Sequence, residues 1–142
     1  MTASAPPLDG LVVADFSRVL AGPLATMTLA DLGADVIKVE RPGVGDDTRQ
    51  WGPPWSTHSS SYFACVNRSK RSITLDLRDP ADVQVALDLV AGADVLVENF
   101  LTGTMDRLGL GYEQLRDINP AFIRAYPMEG QPREVESKPE AQ

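Results

Sequence analysis

The chain has 142 residues, with 13 Lys and Arg against 20 Asp and Glu and a formal net charge of −7. Its 43% hydrophobic and 23% charged residues are the balance of an ordinary globular domain. The acidic balance excludes a nucleic-acid partner, which would need clustered positive charge, and no apolar run approaches the ~20 residues of a membrane-spanning helix. The amino end, "MTASAPPLDG", has no basic segment followed by an apolar one. A cytoplasmic location is therefore expected. Leu11 to Asp15 is a short apolar run, the pattern of a strand covered on both faces. Gly22-Pro23 then introduces Leu24 to Leu32, a helix apolar almost all round and expected to be buried, with Pro23 at its first position and Gly33 as its stop. Asp35 to Glu40 reads as a second strand, completing a βαβ unit.

From Arg41 to about Ser72 the chain is rich in Gly, Pro and Ser and carries Trp51 and Trp55 beside a Pro-Pro pair. A connection of this length is functional or disordered, and the tryptophans favour an ordered flap. "GVGDDT" lacks the third glycine of a dinucleotide fingerprint and has no helix after it. His58 stands in "STHSSS" as a solvated loop residue. Cys65 is the only cysteine, so no disulfide or cysteine-based metal cluster can form, and it is expected to be a buried small residue. No metal is expected.

Ile73 to Leu77 alternates like a strand. Asp79-Pro80 opens a helix whose Val83, Ala86, Leu87 and Val90 share one face, closed by Gly92. Ala93 to Val97 is the next strand, followed by a short helix near Thr104 to Leu108, a further turn or two in "GYEQLRDINP", and a last strand in "AFIRAY". Alternating strands and helices predict an α/β fold, an open and mostly parallel Rossmann-like sheet with flanking helices. In such sheets ligands bind beyond the carboxyl ends of the strands. Those ends carry Arg18, Arg41, Arg78 and Arg107, with Arg68, Lys70 and Arg71 before the third strand. Two readings stay open: a pocket for a phosphate-bearing, nucleotide-like anion, or solvated arginines that happen to fall in loops.

Three long stretches then carry a resemblance. They are "PLDGLVVADFSRVLAGPLATMTLADLGADVIKVERPGVGDDTRQWGPP", "NRSKRSITLDLRDP" and "ADVLVENFLTGTMDRLGLGYEQLRDINP". Together they closely resemble the amino-terminal part of the class III CoA-transferases, a family that includes formyl-CoA and carnitine-CoA transferases and is related to acyl-CoA racemases. "GDDTRQWGPP" and "NRSKRSITLDL" look more like the transferases. The resemblance implies transfer of CoA from an acyl-CoA donor to a carboxylic acid through an aspartyl intermediate, in an interlocked homodimer. It also implies a Rossmann-like large domain of which this chain holds only part. CoA contacts would fall on Arg18, Val19, Arg41, Leu75, Arg78, Asn99, Phe100 and Arg107. Arg41 would hold the adenosine-phosphate end, Leu75 would line the adenine pocket, and Asn99 and Phe100 would form the turn packed on the cofactor. The family's catalytic aspartate would lie beyond Gln142, and Asp106 and Asp117 match non-catalytic positions.

The expected organisation is a CoA-binding part over residues 1–125 and a disordered polar tail over 126–142. Two roles follow: the CoA-binding part of a truncated or split transferase, inactive alone, or a non-catalytic CoA-binding remnant or partner subunit. The apolar helix and open sheet edges are expected to drive association.

Overall fold

The computed structural model describes residues 4–125, and the expected polar tail lies outside them. Five strands form one sheet: β1 (Val12–Asp15), β2 (Asp35–Glu40), β3 (Arg71–Thr74), β4 (Val95–Val97) and β5 (Ile123–Ala125). Their order is β3-β2-β1-β4-β5, and every pairing is parallel. Strand order reverses between β1 and β4, the switch point where doubly wound sheets open a crevice at their carboxyl edge.

Helix α1 (Ala21–Asp31) covers one face. It begins two residues before the expected Pro23, which is tolerated because the first-turn N–H groups have no intrahelical acceptor. Its end is a Schellman motif, with Ala34 N donating to Leu29 O and Gly33 N to Ala30 O, each at 3.0 Å. Gly33 sits at φ +106, and a Cβ there would fall 2.3 Å from Pro6 Cβ. The expectation that α1 is buried all round is overturned: Thr26, Met27 and Ala30 are buried, while Leu24 and Leu32 are 44% and 43% exposed. A helix lying on one sheet buries only the stripe that faces it.

The long connection is ordered, as expected of a flap. It holds a 3₁₀ turn, Asp47–Gln50, and a helix that periodicity did not reveal, α2 (Ser61–Asn67), capped by Ser60 Oγ accepting from Phe63 N at 3.0 Å. Trp51 meets Tyr62 edge to face with centroids 5.3 Å apart. α2 buries only Val66, so Cys65 on its other side is exposed, against expectation. His58 is exposed in its loop.

β3 begins two residues before the expected Ile73 and ends three before the expected Leu77. Thr74 pairs with Glu40, the last residue of β2, and among the described residues the β2–β3 ladder ends there. α3 (Pro80–Ala91) starts as predicted, with Asp79 Oδ1 accepting from Ala81 N at 2.9 Å. α4 (Thr104–Arg107) and α5 (Tyr112–Ile118) follow β4. The larger core sits on this second face, where Ala14, Phe16, Val39 and Leu96 of the sheet side meet Ala86, Val90, Met105, Leu110 and Leu115. A smaller cluster of Val13, Val36, Val97, Ala30 and Ala34 lies under α1.

Candidate functional site

A cleft of about 480 Å³ opens along the carboxyl ends of β1, β2, β3 and β4. Phe16, Val39, Leu75, Leu77, Val44 and Leu108 give it an apolar lining, and Arg18, Arg41 and Arg78 stand around it. These arginines come from three different strand ends, so the topology alone brings them together. Arg18 places its guanidinium over the Phe100 ring, 4.9 Å from the centroid.

The arginines are not bare. Asp47 pairs with Arg41 and lies 4.0 Å from Arg18. Arg78 makes two bonds of 2.9 Å to Asp76, and these hold the Asp76 carboxyl below its ordinary value. All of these groups are partly exposed, so each pair contributes little in water.

The deeper charges form a second, closed layer. Glu40 accepts from Arg49 Nε and Nη2 at 2.7 Å each, from Ser72 Oγ at 2.7 Å and from Asp46 N at 3.0 Å. Burial pushes its carboxyl up, but the Arg49 guanidinium and the other donors prevail and hold it at about 2. Asp46 is paired with Lys38 at 3.0 Å and accepts from Thr48 N and Oγ1. Against the opposing effect of burial, the Lys38 ammonium and these donors keep Asp46 low. Asp15, wholly buried, accepts from Lys70 Nζ at 3.0 Å, Thr26 Oγ1 at 2.6 Å and Ser17 Oγ at 2.5 Å. Burial lowers the Lys70 ammonium, and Asp15 opposes it.

Of the residues singled out in the sequence, Arg18, Arg41, Leu75, Arg78 and Phe100 line the cleft. Arg107 sits beside it, donating to Oγ1 of the lining Thr104 at 3.0 Å. Val19 and Asn99 lie behind Arg18, in the loop after β1 and in the turn that holds it. Arg68, Lys70 and Arg71 do not join the rim: they pair with Asp31, Asp15 and Asp35. Sequence reasoning passed over Lys38, Asp46 and Asp47. The signal for Lys38 was present, a cation placed among apolar positions of a central parallel strand.

The profile of CoA-transferase family III matches residues 8–136. This chain belongs to CoA-transferase family III. It is 54% identical over 117 residues to succinyl-CoA:glutarate CoA-transferase of Mus musculus, covering 82% of this chain and 27% of that protein. It is also 54% identical over 119 residues to acetyl-CoA:oxalate CoA-transferase of Acetobacter aceti, covering 84% of this chain and 30% of the relative. Among solved structures, a CAIB/BAIF family protein from Brucella suis superposes with a TM-score of 0.81 at 52% identity, over 85% of this chain and 33% of that one. The chain thus spans about a third of the length of these family members.

Proposed function

We propose that the cleft binds the nucleotide and phosphate end of coenzyme A, and that this family III chain supplies the CoA-binding part of an enzyme moving CoA from an acyl-CoA to a carboxylic acid. The observation that carries the proposal is the convergence of Arg18, Arg41 and Arg78 on one apolar-floored cleft at the sheet's carboxyl edge. Leu75 and its apolar neighbours suit the flat adenine ring, and the arginines suit its phosphates. Arg107 reaches the same ligand by leaving Thr104. Phe100 packs against it, while Val19 and Asn99 shape the loop that carries Arg18.

Asp46, Asp47 and Asp76 at the cleft each hold a cation already, so none is offered as the nucleophile. The proposal therefore includes no transfer by these 142 residues alone. Relatives named for glutarate and oxalate favour a dicarboxylic acid as acceptor. Exposed Leu24 on α1, with exposed Leu20 and Leu32 at its two caps, favours a homodimer, and a cytoplasmic location completes the reading.

Calorimetric titration with CoA tests the cleft. Arg41→Ala and Arg107→Ala are each expected to weaken binding by about 1–3 kcal/mol, the worth of a charge-assisted phosphate contact. Unchanged affinity in both would reject it.

A further inference from the structure

The three residues that follow Phe16 are gripped by side chains from distant parts of the sequence. Lys38 Nζ, reaching up from β2, donates to Ser17 O at 2.8 Å. Asn99, just past β4, accepts from Arg18 N at 2.8 Å through Oδ1 and donates from Nδ2 to Arg18 O at 2.7 Å. Asp46, at the start of the 3₁₀ turn, accepts from Val19 N with Oδ2 at 3.3 Å. Lys38 and Asp46 also bond to each other at 3.0 Å, their side chains 2% and 0% exposed.

The loop they hold is strained. Val19 has φ +71, in the left-handed region that β-branched residues avoid. Such a residue is unfavourable by itself and persists only where its surroundings over-determine it. Here they do, and the residue directly before Val19 is Arg18, whose side chain leaves the loop for the cleft and lies over Phe100. Stability alone is a poor reason for the arrangement, because a buried ion pair is often no better than an apolar pair of the same volume.

We infer that Asn99 and the buried Lys38–Asp46 pair are positioning residues: they hold Ser17 to Val19 in a strained backbone that aims the Arg18 guanidinium across the cleft. The inference rests on the reading of the cleft as a CoA site and gives Asn99, Lys38 and Asp46 a part in it through the backbone on either side of Arg18. Asn99 has its amide committed on both sides to the Arg18 backbone, so it acts through Arg18. Lys38 and Asp46 act from below, one on the carbonyl before Arg18 and one on the N–H after it.

A double-mutant cycle on the 142-residue chain, titrated with CoA, tests the coupling. Asn99→Ala and Arg18→Ala are each expected to weaken CoA binding by about 5- to 20-fold, and the double variant to bind within about twofold of Arg18→Ala alone. Losses that multiply would mean that Asn99 meets the ligand independently. No loss in Asn99→Ala would mean that Arg18 needs no hold. Either outcome overturns the inference.

Amide hydrogen exchange followed residue by residue supplies a readout free of CoA. Asn99→Ala is expected to speed exchange at Arg18 and Val19 while the β1 and β2 amides stay protected. Asn99→Asp, which keeps the acceptor and loses the donor, should fall between, and Arg18→Ala should leave the Arg18 amide protected. Loss of protection spread through the sheet would reduce Asn99 to an ordinary structural residue and refute the assignment. If the wild-type chain takes up no CoA, the reading of the cleft fails, and exchange still decides whether the grip exists.

Discussion

On the face of the sheet covered by α3 and α5, Ala14, Phe16, Val39 and Leu96 meet Ala86, Val90 and Leu115 in an apolar core. On the face covered by α1, Val13 and Val36 give way toward the carboxyl ends to Asp15, Lys38 and Glu40, all buried. The first face draws on the area it removes from water, at roughly 25 cal/mol per Å², and that attraction has no direction. The second draws on bonds of fixed length and angle. Asp15 bonds to the Ser17 N–H and hydroxyl, Lys38 and Asp46 hold the Ser17 to Val19 backbone, and Glu40 with Arg49 holds the 3₁₀ turn to β2. One face makes the sheet stable, and the other decides where its rim loops stand.

The contrast breaks most visibly at Lys70. Lys70→Ala leaves Asp15 wholly buried without its cation, and loss of one partner of a buried pair costs about 3–5 kcal/mol. Urea denaturation should show this loss, although Lys70 looks in the sequence like one of three solvated cations. On the apolar face, Leu96→Ala removes a fully buried side chain and is expected to cost about 2–5 kcal/mol through lost transfer energy and the cavity left behind. The sharper difference is in kind. Leu96→Ala should lower stability with little effect on CoA affinity measured where the chain remains folded, because no bond to the rim loop is cut.

Acid separates the faces without mutation. Glu40 titrates at about 2 in the folded protein against an ordinary 4.5, so its stabilisation is present above 4.5 and is lost as pH falls from there toward 2. Between those values the unfolded chain binds the extra proton, and stability rises with pH. The full shift, from 4.5 to about 2, corresponds to about 3 kcal/mol. Denaturation curves taken from pH 5 to pH 3 should steepen in their pH dependence, and Glu40→Gln should flatten it.

The local signals were the more legible in the sequence. Asp79-Pro80, Gly33 and the apolar runs of β1, β2 and β4 each act locally, so residue type and spacing reveal them. α2 was missed because it buries only Val66 and has no apolar stripe, and the outward side of α1 was misread because leucines occur on both its sides. At the site, Arg41 was legible because it directly follows β2, and Arg78 because it falls in the turn between β3 and the Asp79 cap of α3. The fate of Arg68, Lys70 and Arg71 was not, since their partners Asp31, Asp15 and Asp35 come from earlier elements and only the sheet brings them close. Lys38 and Asp46 were hidden for the same reason. Each is an unremarkable charge until β2 and the turn after it are folded.

The smallest expected effect tests the ionic face most finely. Val19→Gly removes the left-handed penalty of about 1–2 kcal/mol at φ +71. It also gives the unfolded chain more freedom, worth about 0.5–1 kcal/mol, and forfeits the burial of a half-buried side chain. These terms nearly cancel, so Val19→Gly should change stability by less than about 1 kcal/mol. Val19→Ala gives up most of the same burial and keeps the strain, and should therefore be the less stable of the two. In an unstrained loop the order is reversed, because glycine has more entropy to lose on folding. Urea midpoints for the two variants thus read the strain directly, and an alanine variant more stable than the glycine one would show that the side chains around Ser17 to Val19 hold nothing under tension.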